Sequence, residues 1–256
     1  MNQHSQNNYL KSVLNFRDIG GLSAPRGKKL REGIIFRSAN PDRISRMDIE
    51  KIRSLNIRTI IDLRAGHELN KRSISVDCTE KLVLPLDFTQ TTRERLKPAI
   101  YKKDAEAAIT EISNAIYLEI LDASAPVFRQ VMEVLASPDR CPVLIHCQAG
   151  KDRTGIIIAL VLLSLGVERK LIINDFMKSN DALLPFFKKY LLIRKILTFG
   201  FFPYRNMLFV IMVKQRNIES ILDRIEYHYG GIEAYLRYAG FDASRLAEVR
   251  NSLLTG

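Results

Sequence analysis

The stretch that decides the fold of this chain is His146-Cys147-Gln148-Ala149-Gly150-Lys151-Asp152-Arg153-Thr154-Gly155. The apolar run 142–145 before it predicts a buried strand, and the apolar run 156–163 after it predicts a buried helix. A glycine-bearing loop between a strand and a helix N-terminus turns its backbone N–H groups inward, and the helix dipole adds partial positive charge there. The stretch therefore predicts an anion-binding loop.

A nucleophile and a phosphate clamp flank this loop. Cys147 opens it, and inward-facing N–H groups stabilise the thiolate form of a cysteine at this position. Arg153 comes six residues later, and its planar guanidinium can hold two oxygens of a phosphoryl group. We expect His146 to fix the loop by a hydrogen bond and Thr154 to place a hydroxyl near the sulfur. Phosphate contacts are predicted for the loop residues Gln148, Ala149, Gly150, Lys151, Asp152 and Arg153.

Two other interpretations of the loop explain the pattern less well. A buried structural cysteine before a core helix leaves Gly150, Arg153 and Thr154 unexplained. A nucleotide-binding P-loop requires a glycine where Ile145 stands, and a serine or threonine where Asp152 stands. The spacing therefore excludes a nucleotide P-loop and favours cysteine-based phosphoryl chemistry.

The order of the predicted elements indicates the fold class. Apolar runs predict strands at 30–37, 58–63, 81–86 and 142–146. Patterns of helical spacing predict helices at 105–121, 126–136 and 154–165, and Ser45 to Asp48 resembles a capping box that opens a further helix. Strand–helix–strand units make neighbouring strands parallel. The chain is therefore predicted to be one α/β domain over 1–256, with a central, mostly parallel sheet of four to five strands flanked by helices.

Several polar residues are predicted to lie at one edge of this sheet. Ligands of parallel sheets bind at the carboxyl ends of the strands. Cys147 follows one strand, Asp62 and Arg64 end another, and Asp87 follows a third. We therefore expect these side chains to be neighbours of the loop.

A resemblance to a known family extends beyond the loop. Residues 146–155 resemble the signature of cysteine-dependent phosphatases, the protein tyrosine phosphatase superfamily. Asn15-Phe16-Arg17-Asp18-Ile19-Gly20-Gly21 is similar to the opening of the atypical bacterial tyrosine phosphatase family, often called tyrosine phosphatase family 3. Segments 36–39, 60–64 and 229–236 also lie where that family has matching segments. The resemblance covers most of the chain and implies a dual-specificity-like phosphatase. The charges of Arg17 and Asp18 themselves predict ion pairs that brace the loop.

The residues also predict a reaction. We expect the Cys147 thiolate to attack phosphorus and form a phosphocysteine intermediate, which water then hydrolyses. Arg153 and the loop amides supply the electrostatic stabilisation, so no metal or other cofactor is required. Asp152 is the first candidate for the general acid, because it lies in the loop and the family resemblance points the same way, and Asp87 is the second. Arg64 is a supporting candidate.

The segment 183–213 has an unusual composition. Aromatic residues alternate with basic ones, and the wider range 181–217 carries seven Lys or Arg against one Asp, a local net charge of +6. Gly200 and Pro203 are expected to divide the segment into two helices. Members of the resembled family can carry a helical lid here, so this segment is a candidate lid that gates the site or contacts a membrane surface. A helical hairpin docked permanently on the core is the alternative.

Composition limits the kinds of binding partner and the cellular compartment that suit this chain. The chain has 256 residues, a net charge of +11 and three cysteines, which suit anionic partners and a reducing compartment rather than a disulfide framework. Cys141 is near enough in sequence to Cys147 to be a candidate partner in a protective disulfide, but the favoured interpretation is an ordinary cysteine at the start of a strand. Residues 1–10 lack the apolar core of a signal peptide, and no uncharged apolar run reaches membrane-spanning length, so a cytoplasmic location is expected, with secretion by a route that needs no signal peptide as the alternative. The histidines outside the loop lack metal-ligand spacing.

Four functions share this loop chemistry. The first is hydrolysis of phosphotyrosine in proteins, with phosphoserine and phosphothreonine as further substrates. The Lys151-Asp152 pair is similar to the form found in family members that also hydrolyse phosphoinositides, so a phosphoinositide phosphatase is the alternative. An RNA 5′-triphosphatase and a non-catalytic phosphate-binding module are weaker alternatives, and no stable nucleic-acid complex is expected.

Overall fold

A central parallel sheet organises the molecule. The computed structural model describes residues 10–69, 78–242 and 244–255. Its main sheet has the order β1-β3-β6-β4-β5, in which β1 pairs antiparallel with β3 and the other pairs are parallel. A small antiparallel ribbon joins β2 to β7. The strands are β1 Arg17–Asp18, β2 Lys29–Leu30, β3 Ile35–Ser38, β4 Thr59–Asp62, β5 Glu80–Val83, β6 Val143–His146 and β7 Leu254–Thr255. The predicted α/β class and the mostly parallel sheet are confirmed.

Helices cover the sheet and build the site above its edge. The helices predicted one by one are confirmed to within a few residues, and the chain after residue 165, whose pattern predicts mainly helix, forms α6 to α10. Helix α2 has no counterpart among the predictions because its sequence is mainly polar. The helices are α1 Arg46–Ser54, α2 Thr89–Ile100, α3 Glu106–Ala123, α4 Ala125–Leu135, α5 Arg153–Ser164, α6 Arg169–Leu197, α7 Tyr204–Ile211, α8 Gln215–Asp223, α9 Ile232–Tyr238 and α10 Ser244–Leu253.

Local sequence explains most of these boundaries. Ser45 caps α1 by accepting a hydrogen bond from the backbone N–H of Asp48 at 3.2 Å, as the capping pattern predicts. Strand β6 and helix α5 are almost wholly buried, which matches their continuous apolar runs. The strand predicted over 30–37 is wrong in its extent, because a turn at 32–33 separates β2 from β3.

The carboxyl edge of the sheet gathers the predicted residues. Cys147 follows β6, Asp62 ends β4, and Asp87 lies four residues after β5. Cys141, by contrast, precedes β6 at the opposite edge. Six residues of extended chain span roughly 20 Å, whereas the two Cα atoms of a disulfide lie within about 7 Å. The suggested Cys141–Cys147 disulfide is therefore wrong.

The segment 183–213 consists of the second half of α6, a turn at 198–203, and α7. Two helices separated near Gly200 and Pro203 are confirmed. Helix α7 is docked on α2 and α3, and the Asn206 side-chain amide donates to the carbonyls of Ile100 and Lys102 at 2.7 and 2.9 Å. Motion of this segment as a lid stays a prediction.

Within the residues that the structure describes, no helix has both the length and the apolar character needed to cross a membrane.

Candidate active site

Cys147 lies at the floor of a deep cavity between the sheet edge and the helices above it. The cavity has a volume of about 560 Å³, and Cys147 is only 2% exposed. Residues of the loop form the floor, and mainly apolar side chains from α2, α3 and the segment 183–213 form the walls. The walls include Phe88, Lys97, Tyr101, Tyr117 and Phe202.

The carbonyl groups of the loop are tied from behind. The carbonyl of Gly150 accepts hydrogen bonds from the Asn15 side-chain amide and from the Arg37 guanidinium, both at 2.7 Å. Asn15 also donates to the carbonyl of Ala149 at 3.2 Å. Since these carbonyls are engaged beneath the loop, the amide groups of the loop are free to face the cavity as an anion-binding nest.

Asp175 on α6 fixes the arginines under the loop. Its carboxylate accepts from Arg37 at 2.8 Å and from Arg17 at 2.9 Å, and both Arg37 and Asp175 are buried. Burial opposes ionisation of Asp175, but the two guanidinium groups outweigh it and lower its pKa to about 2. The predicted bracing role of Arg17 is thus seen in its contacts, whereas Asp18 braces a turn by accepting from the backbone of Gly20.

Gly150 allows the loop to pass close to β3. Its φ of +64° is a conformation that other residues rarely adopt. A Cβ atom at this position would lie 2.2 Å from the carbonyl oxygen of Ser38, which belongs to the backbone and cannot move aside. Glycine at position 150 is therefore required by both the backbone conformation and the available space.

Arg153 is held by a carboxylate that sequence reasoning missed. Two nitrogens of its guanidinium contact the two carboxylate oxygens of Glu68 at 2.5 and 2.8 Å, and the carbonyls of Leu63 and Leu86 accept further hydrogen bonds. This two-point pairing fixes the plane of the guanidinium. The only available signal was that Glu68 follows β4, the strand that ends at the same edge as Cys147.

Asp152 also lies in the cavity, and its two oxygens differ. Oδ1 accepts hydrogen bonds from the Tyr117 hydroxyl and, at 2.9 Å, from the Lys151 ammonium group. Both hydrogen bonds to this carboxylate within the described residues end on Oδ1, so Oδ2 is left for a ligand. Burial raises the pKa of Asp152, but Lys151 and Tyr117 outweigh it, so the pKa lies below its usual range.

The remaining predicted residues occupy different places. His146 is buried beside Asp62, 3.7 Å away, and burial lowers its pKa to about 4, so the ring is neutral. Its Nδ1 has no hydrogen-bond partner in the described part of the chain, and the loop-fixing hydrogen bond expected of His146 stays a prediction. Thr154 is fully buried beside the loop, and its hydroxyl likewise has no partner there.

Arg64 and Asp87 do not meet at the floor of the cavity. Arg64 is buried between Asp42 and Asp62, at 2.7 and 2.8 Å, and braces the end of β4. Asp87 is half-exposed and lies 3.6 Å from His67, outside the described residues that line the cavity. Its predicted position at the sheet edge is right, but only Asp152 of the two candidate acids lines the cavity among the described residues.

A parallel sheet that delivers a cysteine into such a loop defines a cysteine-dependent phosphatase fold. Comparison with known sequences agrees, because the model of the tyrosine phosphatase family matches residues 9–255. The chain belongs to this family and is a protein-tyrosine phosphatase.

Individual relatives are distant but cover most of the chain. The triple specificity protein phosphatase PtpB of Mycobacterium tuberculosis is 27% identical over 279 aligned positions, covering 96% of this chain and 98% of the relative. A protein of Cupriavidus necator assigned by name as a tyrosine-protein phosphatase is 25% identical, covering 89% of this chain and 82% of the relative. A tyrosine-protein phosphatase of Nostoc commune is 29% identical over 55% of this chain.

Proposed function

We propose that Cys147 is the nucleophile in the hydrolysis of phosphotyrosine. Its thiolate attacks phosphorus, so that an S–P bond forms as the bond from phosphorus to the phenolic oxygen breaks. Asp152 gives its proton to the departing oxygen. Water then attacks the phosphocysteine, the S–P bond breaks, and Asp152 takes a proton from the water. Phosphate and the free tyrosine side chain are the products.

One observation carries this proposal: the loop that follows the nucleophile is braced through its carbonyl groups. Asn15 and Arg37 donate to the carbonyls of Ala149 and Gly150, which leaves the loop amides available as donors to a bound phosphoryl group. Arg153 is oriented by Glu68 before any substrate arrives. Donors fixed in this way stabilise the charge that develops on the phosphoryl oxygens without reorganising during the reaction.

The geometry of Asp152 supports its role as the general acid. Tyr117 and Lys151 both donate to Oδ1, so a proton carried by the carboxyl group resides on Oδ2. Asp152 is ionised in the free enzyme, because its pKa is depressed. A phosphate dianion bound in the loop places negative charge beside it, which raises the pKa and favours the protonated acid.

Tyr117 is proposed to position this acid. Burial raises the pKa of Tyr117 well above its ordinary value, so its hydroxyl remains a donor across the working pH range. Its ring is fixed by an edge-on contact with Phe176 at a centroid distance of 6.0 Å. Tyr117 therefore fixes Oδ1 of Asp152 and leaves Oδ2 for the leaving oxygen.

The cavity walls support an aromatic substrate. Phe88, Tyr101, Tyr117 and Phe202 surround the approach to the loop, and apolar walls of this kind accommodate an aryl ring. Phosphoserine and phosphothreonine, which lack that ring, are proposed as poorer substrates. A cytoplasmic location is proposed because a reducing compartment keeps the Cys147 sulfur reduced.

Replacement of the nucleophile tests this proposal. Cys147→Ser is expected to abolish release of phosphate from a phosphotyrosine peptide while the peptide still binds, because the hydroxyl remains protonated at neutral pH. Cys141→Ser, at the other edge of the sheet, is the matched control and keeps full activity. Turnover by Cys147→Ser would contradict the mechanism.

Phosphoinositides are the second candidate substrate. Lys97 and Lys151 add cations to the cavity around Arg153, which suits a headgroup with more than one phosphate, and the basic segment 183–213 suits contact with an anionic membrane surface. Parallel assays on a phosphotyrosine peptide, phosphoinositide vesicles and 5′-triphosphate RNA separate the alternatives. A greater kcat/KM on phosphoinositides or on 5′-triphosphate RNA than on the phosphotyrosine peptide would reassign the substrate. Binding of the peptide, the phosphoinositides and the RNA without turnover of any of them would favour a non-catalytic module.

A further inference from the structure

The turn at the end of the helical hairpin exposes an apolar tip, which we define as residues 196–201. Its large apolar side chains are among the most exposed of the described residues: Ile196 67%, Leu197 74%, Phe199 92% and Phe201 88%. Soluble monomers rarely gather such side chains at one exposed place, and where they do, the patch marks an interaction site.

The tip is an ordered turn rather than a frayed helix end. The Thr198 hydroxyl donates to the carbonyl of Arg194 at 2.9 Å and accepts from the backbone N–H of Phe202 at 3.1 Å. The N–H of Gly200 closes the helix end on the carbonyl of Lys195 at 2.9 Å. Phe199 has a φ of +50°, which is unfavourable for a bulky residue and is typically retained at functional sites. The fold thus holds this aromatic side chain outward at a conformational cost.

A basic collar surrounds the tip. Arg194 lies 5.5 Å from the ring centre of Phe202, and the Lys195 ammonium lies 5.9 Å from that of Tyr204. Lys102 and Lys103 line the same pocket as Lys195 and Gly200. So do Asp104 and Glu106, and the Glu106 carboxylate lies 3.7 Å from the Arg205 guanidinium. Positive charge still prevails, because the range 181–217 carries seven Lys or Arg against one Asp. Apolar side chains at the end and cations behind them are the arrangement of a segment that enters a membrane interface.

We propose that the tip inserts into the headgroup region of an anionic lipid bilayer and docks the enzyme there. The proposal deepens the membrane contact suggested above and rests on the proposed function only for its biological use. A second copy of the chain is a poor occupant, because both copies would bring the same basic collar and a net charge of +11. Anionic headgroups complement the collar, and the bilayer interior accepts the apolar side chains.

The docked tip lies next to the entrance of the active site. Phe202 directly follows the tip and lines the cavity above Cys147, together with Tyr101 from the end of α2. Insertion of 196–201 therefore brings the cavity close to phosphoryl groups at the lipid surface, whether they belong to proteins or to headgroups.

Vesicle sedimentation tests the docking. The full chain carrying Cys147→Ser, which removes turnover, is mixed with phosphatidylcholine vesicles with and without phosphatidylserine. We expect binding to the anionic vesicles, and we expect the double substitution Phe199→Ser/Phe201→Ser to weaken it by at least about tenfold, since each lost ring removes apolar burial. Met47→Ser/Tyr227→Ser is the matched control, because these side chains are 66% and 84% exposed outside the tip. It is expected to bind like the parent.

Three binding results would overturn the proposal. They are absence of binding to anionic vesicles, equal binding by the tip variant and the parent, and concentration-dependent self-association that the tip substitutions abolish, which would make a second copy the occupant.

Substitution of Arg194 and Lys195 by Glu is expected to weaken vesicle binding most at low salt. The activity of the double tip variant that retains Cys147 is measured separately on a soluble phosphotyrosine peptide. Unchanged activity with lost vesicle binding supports docking by the tip, whereas loss of both would show that the substitutions disturb the cavity and would overturn the tip as a separate docking element. Failure of the proposed catalysis would appear instead as an inactive wild-type enzyme with intact vesicle binding.

Discussion

The loop floor and the apolar tip are built in opposite ways. The floor consists of the loop 147–153 with Asn15, Arg37 and Asp175 beneath it, and Arg37 and Asp175 are 0% and 3% exposed. The tip 196–201 exposes Phe199 by 92% on a single helical hairpin. Residues from distant parts of the chain must meet to form the floor, so we expect substitutions there to reduce both the stability of the fold and the catalytic activity. Substitutions in the tip are expected to change its binding properties while the fold remains intact.

Gly150→Ala is the substitution expected to disrupt the loop floor most. The added Cβ collides with the backbone of Ser38 and displaces several loop amides together. We expect kcat/KM on a phosphotyrosine peptide to fall by more than about 10³-fold, the upper range for losing one preorganised donor. Gly27→Ala is the control, because its φ is +73° but no atom lies within 4 Å of the added Cβ. Equal activity of the Gly150 variant and the wild type would contradict a preorganised loop.

Asp152→Asn is expected to distinguish general-acid catalysis by Asp152 from the electrostatic stabilisation that the loop floor supplies. The loss in kcat should reach about 10²-fold or more for alkyl or unactivated phenyl phosphates and should be small for a good leaving group such as p-nitrophenolate. The basic limb of the pH–rate profile should disappear for the poor leaving groups. Asp87→Asn provides the comparison, and if it shows this pattern instead, the acid is Asp87.

Asp175→Asn tests the buried braces through stability. Removing one partner of a buried pair costs about 3–5 kcal/mol, measured by urea unfolding, whereas Asp223→Asn, which breaks an exposed pair with Arg169, should cost less than about 1 kcal/mol. The folded pKa of Asp175 is about 2, below the unfolded value of about 3.9. Its contribution is therefore complete above pH ~4 and is lost as the pH falls toward 2. A pH-independent difference between variant and wild type would contradict this.

Tyr117→Phe should give the smallest effect, and it sharpens the assignment of the acid. The hydrogen bond favours ionised Asp152, so its removal should raise the pKa of Asp152 and move the basic limb of kcat to higher pH. We also expect about a tenfold lower kcat with poor leaving groups, because the carboxyl group is less well oriented. Both effects should vanish in the Asp152→Asn background. Tyr101→Phe, a cavity residue that is 69% exposed, controls for general perturbation.

Local patterns predicted what depends on neighbouring residues. The buried strand β6, the loop and α5 follow from two apolar runs around 146–155, and the cap of α1 follows from Ser45. The break of 183–213 into two helices follows from Gly200 and Pro203. The nucleophile and phosphate-binding candidates follow from the spacing of the loop, and their chemical roles stay predictions.

Long-range partners could not be predicted. Glu68 meets Arg153 across 85 residues of sequence, and Asp175 meets Arg37 across 138. Each pair forms because the fold brings two oppositely charged side chains together in a buried space. Sequence periodicity reports on local structure and therefore does not reveal such pairs. Tyr117 lies within the predicted helix 105–121, but only the packing of α3 over the loop brings its hydroxyl to Asp152.

The central claim is that the sulfur of Cys147 carries the phosphoryl group during turnover. Acid quenching of the enzyme within its first turnovers, followed by digestion and mass spectrometry, tests it directly. We predict one phosphoryl group on the peptide that contains Cys147, and none on that peptide in Cys147→Ser. A phosphoryl group on another residue, or continued hydrolysis by Cys147→Ser without any phosphoenzyme, would contradict the account.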